Sequence, residues 1–146
     1  MADPPVDVTD TFLTERQAEV LALRNDGLTQ REIADRLGTS VANVSGIESS
    51  ARRNVEAADR TVELARLLRC SVRVSAEPGA DLRDLVDDIY ALGDASGLRV
   101  AYAEPELTTH LHDVLGEVIR ERRLTGTVEV GLTAAGEVVV FPTGPG

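Results

Sequence analysis

The chain contains no lysine, no tryptophan and a single cysteine, and it has only two Tyr and two Phe. One cysteine, Cys70, excludes a disulfide within the chain. So few aromatic rings exclude an aromatic core, and Leu, Val, Ile and Ala then favour helices and compact α/β layers. No apolar run approaches about 18 residues, and the start of the chain is neither basic nor apolar. We therefore expect no membrane span, no signal sequence and a cytoplasmic protein.

The charge of the chain is strongly negative. All 15 basic residues are Arg, and 25 acidic residues give a formal net charge of −10. Halophilic proteins use such an acid excess to stay hydrated in molar salt, where the Debye length falls to about 3 Å. A GC-rich genome would explain the missing lysine but not the excess of acid. Residues 1–69 hold 9 Arg against 12 acidic residues, whereas residues 70–146 hold 6 against 13, so the first half is the better candidate for binding an anionic partner.

The spacing of capping and apolar residues from Leu13 to Ala51 predicts three helices. Two pairs have the capping-box spacing, and glycines mark the helix ends. The start and stop signals are, in chain order, Thr14, Gln17, Gly27, Thr29, Glu32, Gly38, Thr39 and Ser40. This order of helices and turns is typical of a helix-turn-helix, which presents its third helix to the DNA major groove.

The third helix is predicted to have an unusually small and polar outer face. Val44, Ile47 and Ala51 recur at helical spacing and are expected inside. Asn43 can pair with adenine through its amide, and Ala42 can contact a thymine methyl. Thr29, Gln30, Arg52 and Arg53 are predicted to hold phosphates. The full predicted DNA-binding set is Thr29, Gln30, Ser40, Val41, Ala42, Asn43, Ser45, Gly46, Ser49, Arg52 and Arg53.

Residues 12–68 resemble the N-terminal region of the Tfx family of archaeal DNA-binding proteins. The resemblance is carried by F-L-T-E-R-Q-A-E-V-L-A-L-R at 12–24, G-L-T-Q-R-E-I-A at 27–34, L-G-T-S-V-A-N-V-S-G-I-E at 37–48 and A-R-R-N-V-E-A-A-D-R-T at 51–61. A looser similarity extends to sigma-factor region four and LuxR-type domains. The resemblance implies a DNA-binding transcriptional regulator whose recognition helix begins at Ser40 or Val41. Gly46 departs from the larger or basic residue expected there.

Beyond Arg53 the apolar spacing continues through Val55, Ala58, Val62, Ala65 and Leu68, so the third helix is expected to run on or to resume as a long fourth helix. Such a helix needs a surface to pack against. Leu64 and Leu67 near its end suggest pairing with a second copy, as a homodimer binding two half-sites. The alternative is ordinary packing against the second half of the chain.

The second half alternates strand and helix patterns. We predict a strand at 71–75, a helix at 81–92 stopped by Gly93, a strand at 98–103, a helix from Thr108 or Thr109, and a hairpin of strands at 127–132 and 137–141. The inner side of the second helix is predicted to carry Leu111, Val114, Leu115, Val118 and Ile119, with Arg120, Arg122 and Arg123 near its negative end. The order β-α-β-α-β-β predicts helices on one face of a mixed sheet.

Nothing in the sequence has the spacing of a catalytic or metal site. His110 and His112 are two residues apart, which places them about 200° apart around a helix, so both cannot bind one metal ion. There is no phosphate-binding loop and no nucleophile paired with a base. We therefore expect neither an enzyme, nor a metal, nor a cofactor.

The sequence thus predicts an α+β protein: a flexible lead-in at 1–11, a helix-turn-helix domain at 12–69, and a small α/β domain at 70–146 for dimerisation or for a small-molecule effector. The favoured function is sequence-specific binding of double-stranded DNA in transcription regulation. One alternative is a protein-interaction module that contacts the transcription machinery through the same fold. A third is a small-molecule binder in which the first half only dimerises.

Overall fold

The computed structural model describes residues 6–143, which form two compact units that divide between Thr61 and Val62. Residues 1–5 of the predicted lead-in lie outside the described residues. Residues 8–11 form a turn, closed by a 3.1 Å hydrogen bond from the Thr11 N–H to the Val8 carbonyl.

The first unit consists of helices α1 (Glu15–Asn25) and α2 (Gln30–Leu37) and the first part of α3 (Val41–Leu68). Both predicted capping boxes are confirmed. The Thr14 hydroxyl accepts a 3.1 Å hydrogen bond from the Gln17 N–H, and the Thr29 hydroxyl accepts one of the same length from the Glu32 N–H. In each box the Gln or Glu side chain accepts from the backbone of the capping threonine, which satisfies donors left free at the helix start.

The helix α3 is a single run of 28 residues. Its start is capped by the Ser40 hydroxyl, which accepts a 3.0 Å hydrogen bond from the Asn43 N–H. Gly38 makes the sharp turn before it with a φ of 68°, which a glycine adopts without steric cost. The prediction that the recognition helix runs on is confirmed, and no separate fourth helix forms after Arg53.

The first unit closes around a small apolar core. Val20 of α1, Ile33 and Ala34 of α2 and Val44 of α3 are buried in it. Partly buried side chains surround them: Leu23, Leu28, Leu37 and Ile47. One or two buried residues from each helix at the predicted spacing fix how the three helices pack.

The second unit follows with β1 (Val72–Ala76), α4 (Leu82–Ser96), α5 (Glu104–Leu115), a 3₁₀ turn (Gly116–Val118), β2 (Ile119–Arg120), β3 (Arg123–Leu124), β4 (Val128–Leu132) and β5 (Val138–Pro142). Strands β1, β4 and β5 form a three-stranded sheet with β4 in the centre, and β2 and β3 form a separate two-stranded hairpin. Apolar residues of α4 and α5 pack in one core with the side chains of β4 and β5. The α+β class is confirmed.

The prediction of a mixed sheet was wrong, because every strand pair is antiparallel. The predicted strand at 98–103, which would have supplied another partner, is not a strand. Its backbone bonds elsewhere: the Leu98 N–H donates to Gly93 and the Ala101 N–H donates to Gly136, both at 2.9 Å. Leu98 and Val100 pack against the core, so their alternation reflects burial without strand pairing.

Several predicted helix ends also move. The helix α4 passes through Gly93 and ends at Gly97, whose φ is 69°. The helix α5 begins at Glu104, four residues before Thr108, with a proline and acidic residues in its first turn, a composition that suits a helix start. It ends at Leu115, so Val118, Ile119 and the three arginines that follow belong to the 3₁₀ turn and the β2–β3 hairpin. Val114, predicted inside, is exposed.

The end of α3 packs on the sheet at Gly131. Leu67, predicted on an exposed helix end, is only 2% exposed. A Cβ atom on Gly131 would lie 2.6 Å from the Cys70 sulfur and 3.2 Å from a Leu67 methyl. The central strand therefore carries a glycine because α3 and Cys70 approach the backbone too closely for any side chain.

We expect Gly131→Ala to lower the free energy of unfolding by about 1–3 kcal/mol through overpacking, as measured by urea denaturation. Gly116→Ala is the matched control, because nothing lies within 4 Å of a Cβ at Gly116 and its φ of −46° suits any residue. Equal stability of the two variants would contradict this explanation of the glycine.

Candidate nucleic-acid interface

The outer face of α3 is a flat, exposed strip of small side chains. Because successive helical residues turn by about 100°, Ala42, Gly46, Ser49 and Arg53 lie in one row pointing away from the core. All four are exposed, while the inward Val44 and Ala51 are buried and Ile47 is half-buried, as predicted. Nothing lies within 4 Å of a Cβ placed on Gly46, so the packing of the chain does not demand a glycine there. The strip lets another surface approach the helix backbone closely.

Asn43 lies on one flank of this strip. Its Nδ2 donates a 2.9 Å hydrogen bond to the Thr39 hydroxyl, which holds the amide at the start of the helix. The amide oxygen and the second N–H of Asn43 remain available to a ligand. Asn43 also lines a groove between α3 and the start of α1, to which Arg16 contributes.

Two of the predicted phosphate ligands are already engaged inside the unit. The Gln30 amide donates a 3.0 Å hydrogen bond to Glu48 Oε1. The Arg52 guanidinium donates to Glu48 Oε2 from Nε at 2.9 Å and from Nη2 at 2.7 Å. Arg24 completes the set, with Nε 3.1 Å from Glu48 Oε1. One carboxylate therefore joins α1, α2 and α3.

Glu48 is 6% exposed, and it is the buried charged residue of the described chain. Hydrogen bonds from Gln30 and Arg52, together with the nearby Arg24, hold the pKa of Glu48 below its ordinary value of 4.5, against the opposing effect of burial. Sequence reasoning missed Glu48. The available signal was its position four residues after Val44 and three before Ala51, on the inward face of α3.

Other arginines of the first unit differ in whether their side chains have hydrogen-bond partners. Arg53 donates to the hydroxyls of Ser49 and Ser50 at 3.1 and 3.2 Å, so it extends along the outer strip. Arg31 and Arg36 of α2 are exposed, and neither guanidinium group has a hydrogen bond or an ion pair with another described residue. Sequence reasoning passed over these two, although each stands on the polar side of the short helix α2.

The remaining predicted contacts lie where the helix-turn-helix pattern put them. Thr29 and Ser40 cap α2 and α3 and are exposed, and Val41 and Ser45 occupy the flank of α3 opposite Asn43. Within residues 6–143, no three His, Cys, Asp or Glu side chains are grouped so as to hold a metal ion. No helix in that range is long and apolar enough to cross a membrane.

Comparison with known protein families identifies the family of this chain. The profile of the C-terminal region of the TFX DNA-binding proteins matches residues 58–140, and that of sigma-70 region 4 matches residues 12–57. The chain belongs to the Tfx family. The Tfx resemblance drawn from residues 12–68 is confirmed, and so is the looser similarity to sigma-factor region four.

Relatives of this Tfx-family chain come from archaea and match along most of its length. A candidate transcriptional regulatory protein of Haloarcula marismortui is 39% identical over 92% of this chain and 84% of its own. Another from Methanocaldococcus jannaschii is 34% identical, covering 91% and 97%. The DNA-binding protein Tfx of Methanothermobacter marburgensis is 32% identical, covering 89% and 94%. The first of these comes from a halophile, which agrees with the acid-rich composition.

We expect Glu48→Gln to lower the free energy of unfolding by about 1.5–3 kcal/mol, because it replaces the charged acceptor of the hydrogen bonds from Gln30 and Arg52 with a neutral amide. Urea denaturation at neutral pH measures the change. Glu56→Gln is the matched control, since it removes an exposed carboxylate from the same helix. Equal decreases in the free energy of unfolding of the two variants would contradict the role of Glu48 in joining the three helices.

We also expect the wild-type chain to lose stability in acid through Glu48. The pKa is lower in the folded state than the ordinary 4.5, so the ionised carboxylate stabilises the fold above about pH 4.5 and loses this effect as the pH falls through the lowered pKa. The gap between wild type and Glu48→Gln should therefore narrow as the pH falls from about 4.5 through the lowered pKa. A gap that stays constant over this range would contradict the assignment.

Proposed function

We propose that this chain is a sequence-specific transcriptional regulator that reads double-stranded DNA with the outer face of α3 in the major groove. The observation that carries the proposal is the exposed strip of small side chains on α3, held in place by the buried Glu48 network. A face that only meets solvent has no need of small residues, whereas a face that approaches base edges does. Membership of a family described as DNA-binding supports the same function.

Each predicted contact has a role in this proposal. Asn43 pairs with adenine, and Val41 and Ala42 contact thymine methyl groups, with Ser45 as a further hydrogen-bonding group. Ser49 and Gly46 allow the close approach. Thr29, Ser40 and Arg53 contact phosphates.

Gln30 and Arg52 keep the predicted phosphate-binding role in this proposal and are in addition hydrogen-bonded to Glu48. Each retains donors beyond those given to Glu48, so each can hold a phosphate while it stays anchored to the core. Such anchored donors lose less side-chain entropy on binding than free ones. Arg31 and Arg36 are additional phosphate ligands in this proposal, because no acid of the described chain neutralises them.

The acidic composition shapes how this binding would respond to salt. In molar salt the release of counterions from DNA contributes little, so base contacts must provide a larger share of the affinity than in a basic protein. We expect affinity to fall with potassium chloride less steeply than it does for a basic protein that makes more phosphate contacts. The surface chemistry of the strip, with few charges, fits that requirement.

We expect selection from random DNA in about 2 M potassium chloride to recover a defined motif. In the same selection Asn43→Ala should blur one position of the motif and cost about 1–3 kcal/mol there, because one bidentate base contact is lost. Asn25→Ala is the matched control: it removes an exposed amide at the end of α1, away from the strip. No enrichment by the wild-type chain would overturn the proposal and favour the protein-interaction alternative.

We also propose that two copies associate along α3. Val55 and Val62, seven residues apart on one face of the helix, remain 40 and 53% exposed. Asp59 and Arg66 are seven residues apart on one flank of this apolar face, so a second α3 running in the opposite direction would set Arg66 opposite Asp59 in both copies. This complementarity commits the face to a second copy of the same chain.

We expect the wild-type chain to sediment at twice its mass of 15.6 kDa. Val62→Asp should shift it to the monomer, because it buries an unpaired charge in the paired face. Val114→Asp, which alters an exposed valine of α5, should leave the dimer intact. A wild-type monomer at assay concentrations would overturn this association.

The remaining parts of the proposal concern the location of the protein, catalysis and a small-molecule effector. We propose that the chain acts in the cytoplasm, where archaeal DNA resides, and that it is not an enzyme. An effector site in the second unit stays a prediction. A groove lined by Tyr90, Arg99 and Tyr102 is the place to look for it.

A further inference from the structure

The second unit carries a concentrated group of arginines on the β2–β3 hairpin, Ile119–Leu124, here named the arginine hairpin. Arg120, Arg122 and Arg123 fall within four consecutive residues and make up half of the six arginines in residues 70–146, a half that also has 13 acidic residues. The only acidic residue within this four-residue group is Glu121. The hairpin is therefore a local positive site on an acidic part of the chain.

The backbone of the arginine hairpin is held in a costly conformation. Glu121 and Arg122 form its two-residue turn with φ values of 52° and 67°. Two-residue turns of this kind ordinarily use Asn-Gly or Asp-Gly, because other side chains are strained at positive φ. Arg120 and Arg123 also stand directly opposite each other in the ladder, where like charges repel.

The base of the arginine hairpin is firmly anchored, and its tip is free. The Leu82 N–H donates to the Arg122 carbonyl at 2.8 Å, and Arg123 Nη1 donates to the Gly79 carbonyl at the same distance. Leu124 is buried. Arg120 and Arg122 are exposed, and neither guanidinium group has a hydrogen bond or an ion pair with another described residue. Two guanidinium groups are thus presented to solvent on a rigid support.

We propose that the arginine hairpin is a second DNA contact, in which Arg120 and Arg122 bind backbone phosphates of the duplex that α3 reads. This inference rests on the proposed function and extends it to the second unit. Guanidinium groups match phosphate oxygens in geometry as well as charge. A phosphate held between the strands would also relieve the repulsion between Arg120 and Arg123. Contacts of this kind set position and affinity without reading sequence.

An extended phosphate backbone fits the hairpin better than a small phosphorylated ligand does. The groove beside Arg122 is also lined by Arg83 and His112, but it contains the carboxylates of Asp81 and Glu104 as well. Those two acids cancel the positive charge that a small anion would need inside the groove. The free positive charge lies on the exposed turn, which a long polyanion can reach.

The test compares the salt dependence of two double variants of the full-length chain. The hairpin variant is Arg120→Gln with Arg122→Gln. The matched control is Arg69→Gln with Arg73→Gln, which makes the same charge change at two exposed arginines elsewhere in the second unit. Affinity for a duplex carrying the selected motif is measured by fluorescence anisotropy over a range of potassium chloride concentrations, and again for a scrambled duplex.

We expect the hairpin variant to lower the slope of log affinity against log salt by about 1.8, or 0.9 for each lost phosphate contact, equally on both duplexes. The control should keep the wild-type slope. Hydroxyl-radical footprinting should show that the hairpin variant loses backbone protection outside the positions affected by Asn43→Ala. Circular dichroism should show both variants folded.

Four outcomes would overturn the inference. An unchanged slope in the hairpin variant, while the wild-type chain still selects its motif, removes the hairpin contact and leaves the proposed function standing. Equal slope changes in the two double variants would assign the effect to net charge. A wild-type chain that binds no DNA would refute the proposed function and this contact together. Binding of inorganic phosphate by the hairpin without any change in slope would assign the site to a small anion.

Discussion

The helix-turn-helix of this protein depends on one buried carboxylate. Glu48 accepts hydrogen bonds from Gln30 and Arg52 and lies 3.1 Å from Arg24 Nε, so each of the three helices contributes a partner. A buried charge is stable only when its partners are complete, and removal of one leaves an uncompensated charge. The apolar core beside it is small, with four buried side chains. The carboxylate therefore sets the register of α3 against α1 and α2, and with it the direction in which the small outer face points.

The same network decides what the cations of this region can do. Arg52 cannot swing freely to a ligand while two of its nitrogens bind Glu48, and Arg24 also donates to the Leu28 carbonyl at 2.9 Å. Arginines whose nitrogens are engaged inside the fold stabilise it and have few N–H donors left for a partner. In a chain with a net charge of −10, exposed arginines whose side chains have no partner, such as Arg31, Arg36, Arg120 and Arg122, are then the candidates for contacts with DNA. Long-range attraction to DNA is weak in such a chain, and short-range contacts must supply the affinity.

The packing of the second unit depends on two glycines at which other parts of the chain lie very close to the backbone. Gly131 lets Leu67 and Cys70 pack directly on the central strand, and Gly136, with a φ of 83°, lies under the Arg99 carbonyl where a Cβ would be 1.8 Å from that oxygen. This second approach binds residues 98–101 across the end of the β4–β5 hairpin, so the segment does not form a strand. Helices α4 and α5 then cover a purely antiparallel sheet. The arginine hairpin is fixed at the rim of this unit by backbone hydrogen bonds to residues 79–82.

Local sequence patterns were sufficient to predict both capping boxes, the turn at Gly38, the inward positions Val44 and Ala51, the β4–β5 hairpin and the Tfx kinship. These depend on residues within a few positions of each other, where hydrogen-bonding and steric preferences act directly. Tertiary structure alone decided the burial of Glu48 and Leu67, the engagement of Gln30 and Arg52, the loss of the strand at 98–103 and the antiparallel sheet. Each of these depends on partners distant along the chain, and an alternating apolar segment is equally compatible with strand pairing and with irregular packing on a core. The arginines at 120–123 were visible in the sequence, but only the fold showed that they form a rigid turn with free guanidinium groups.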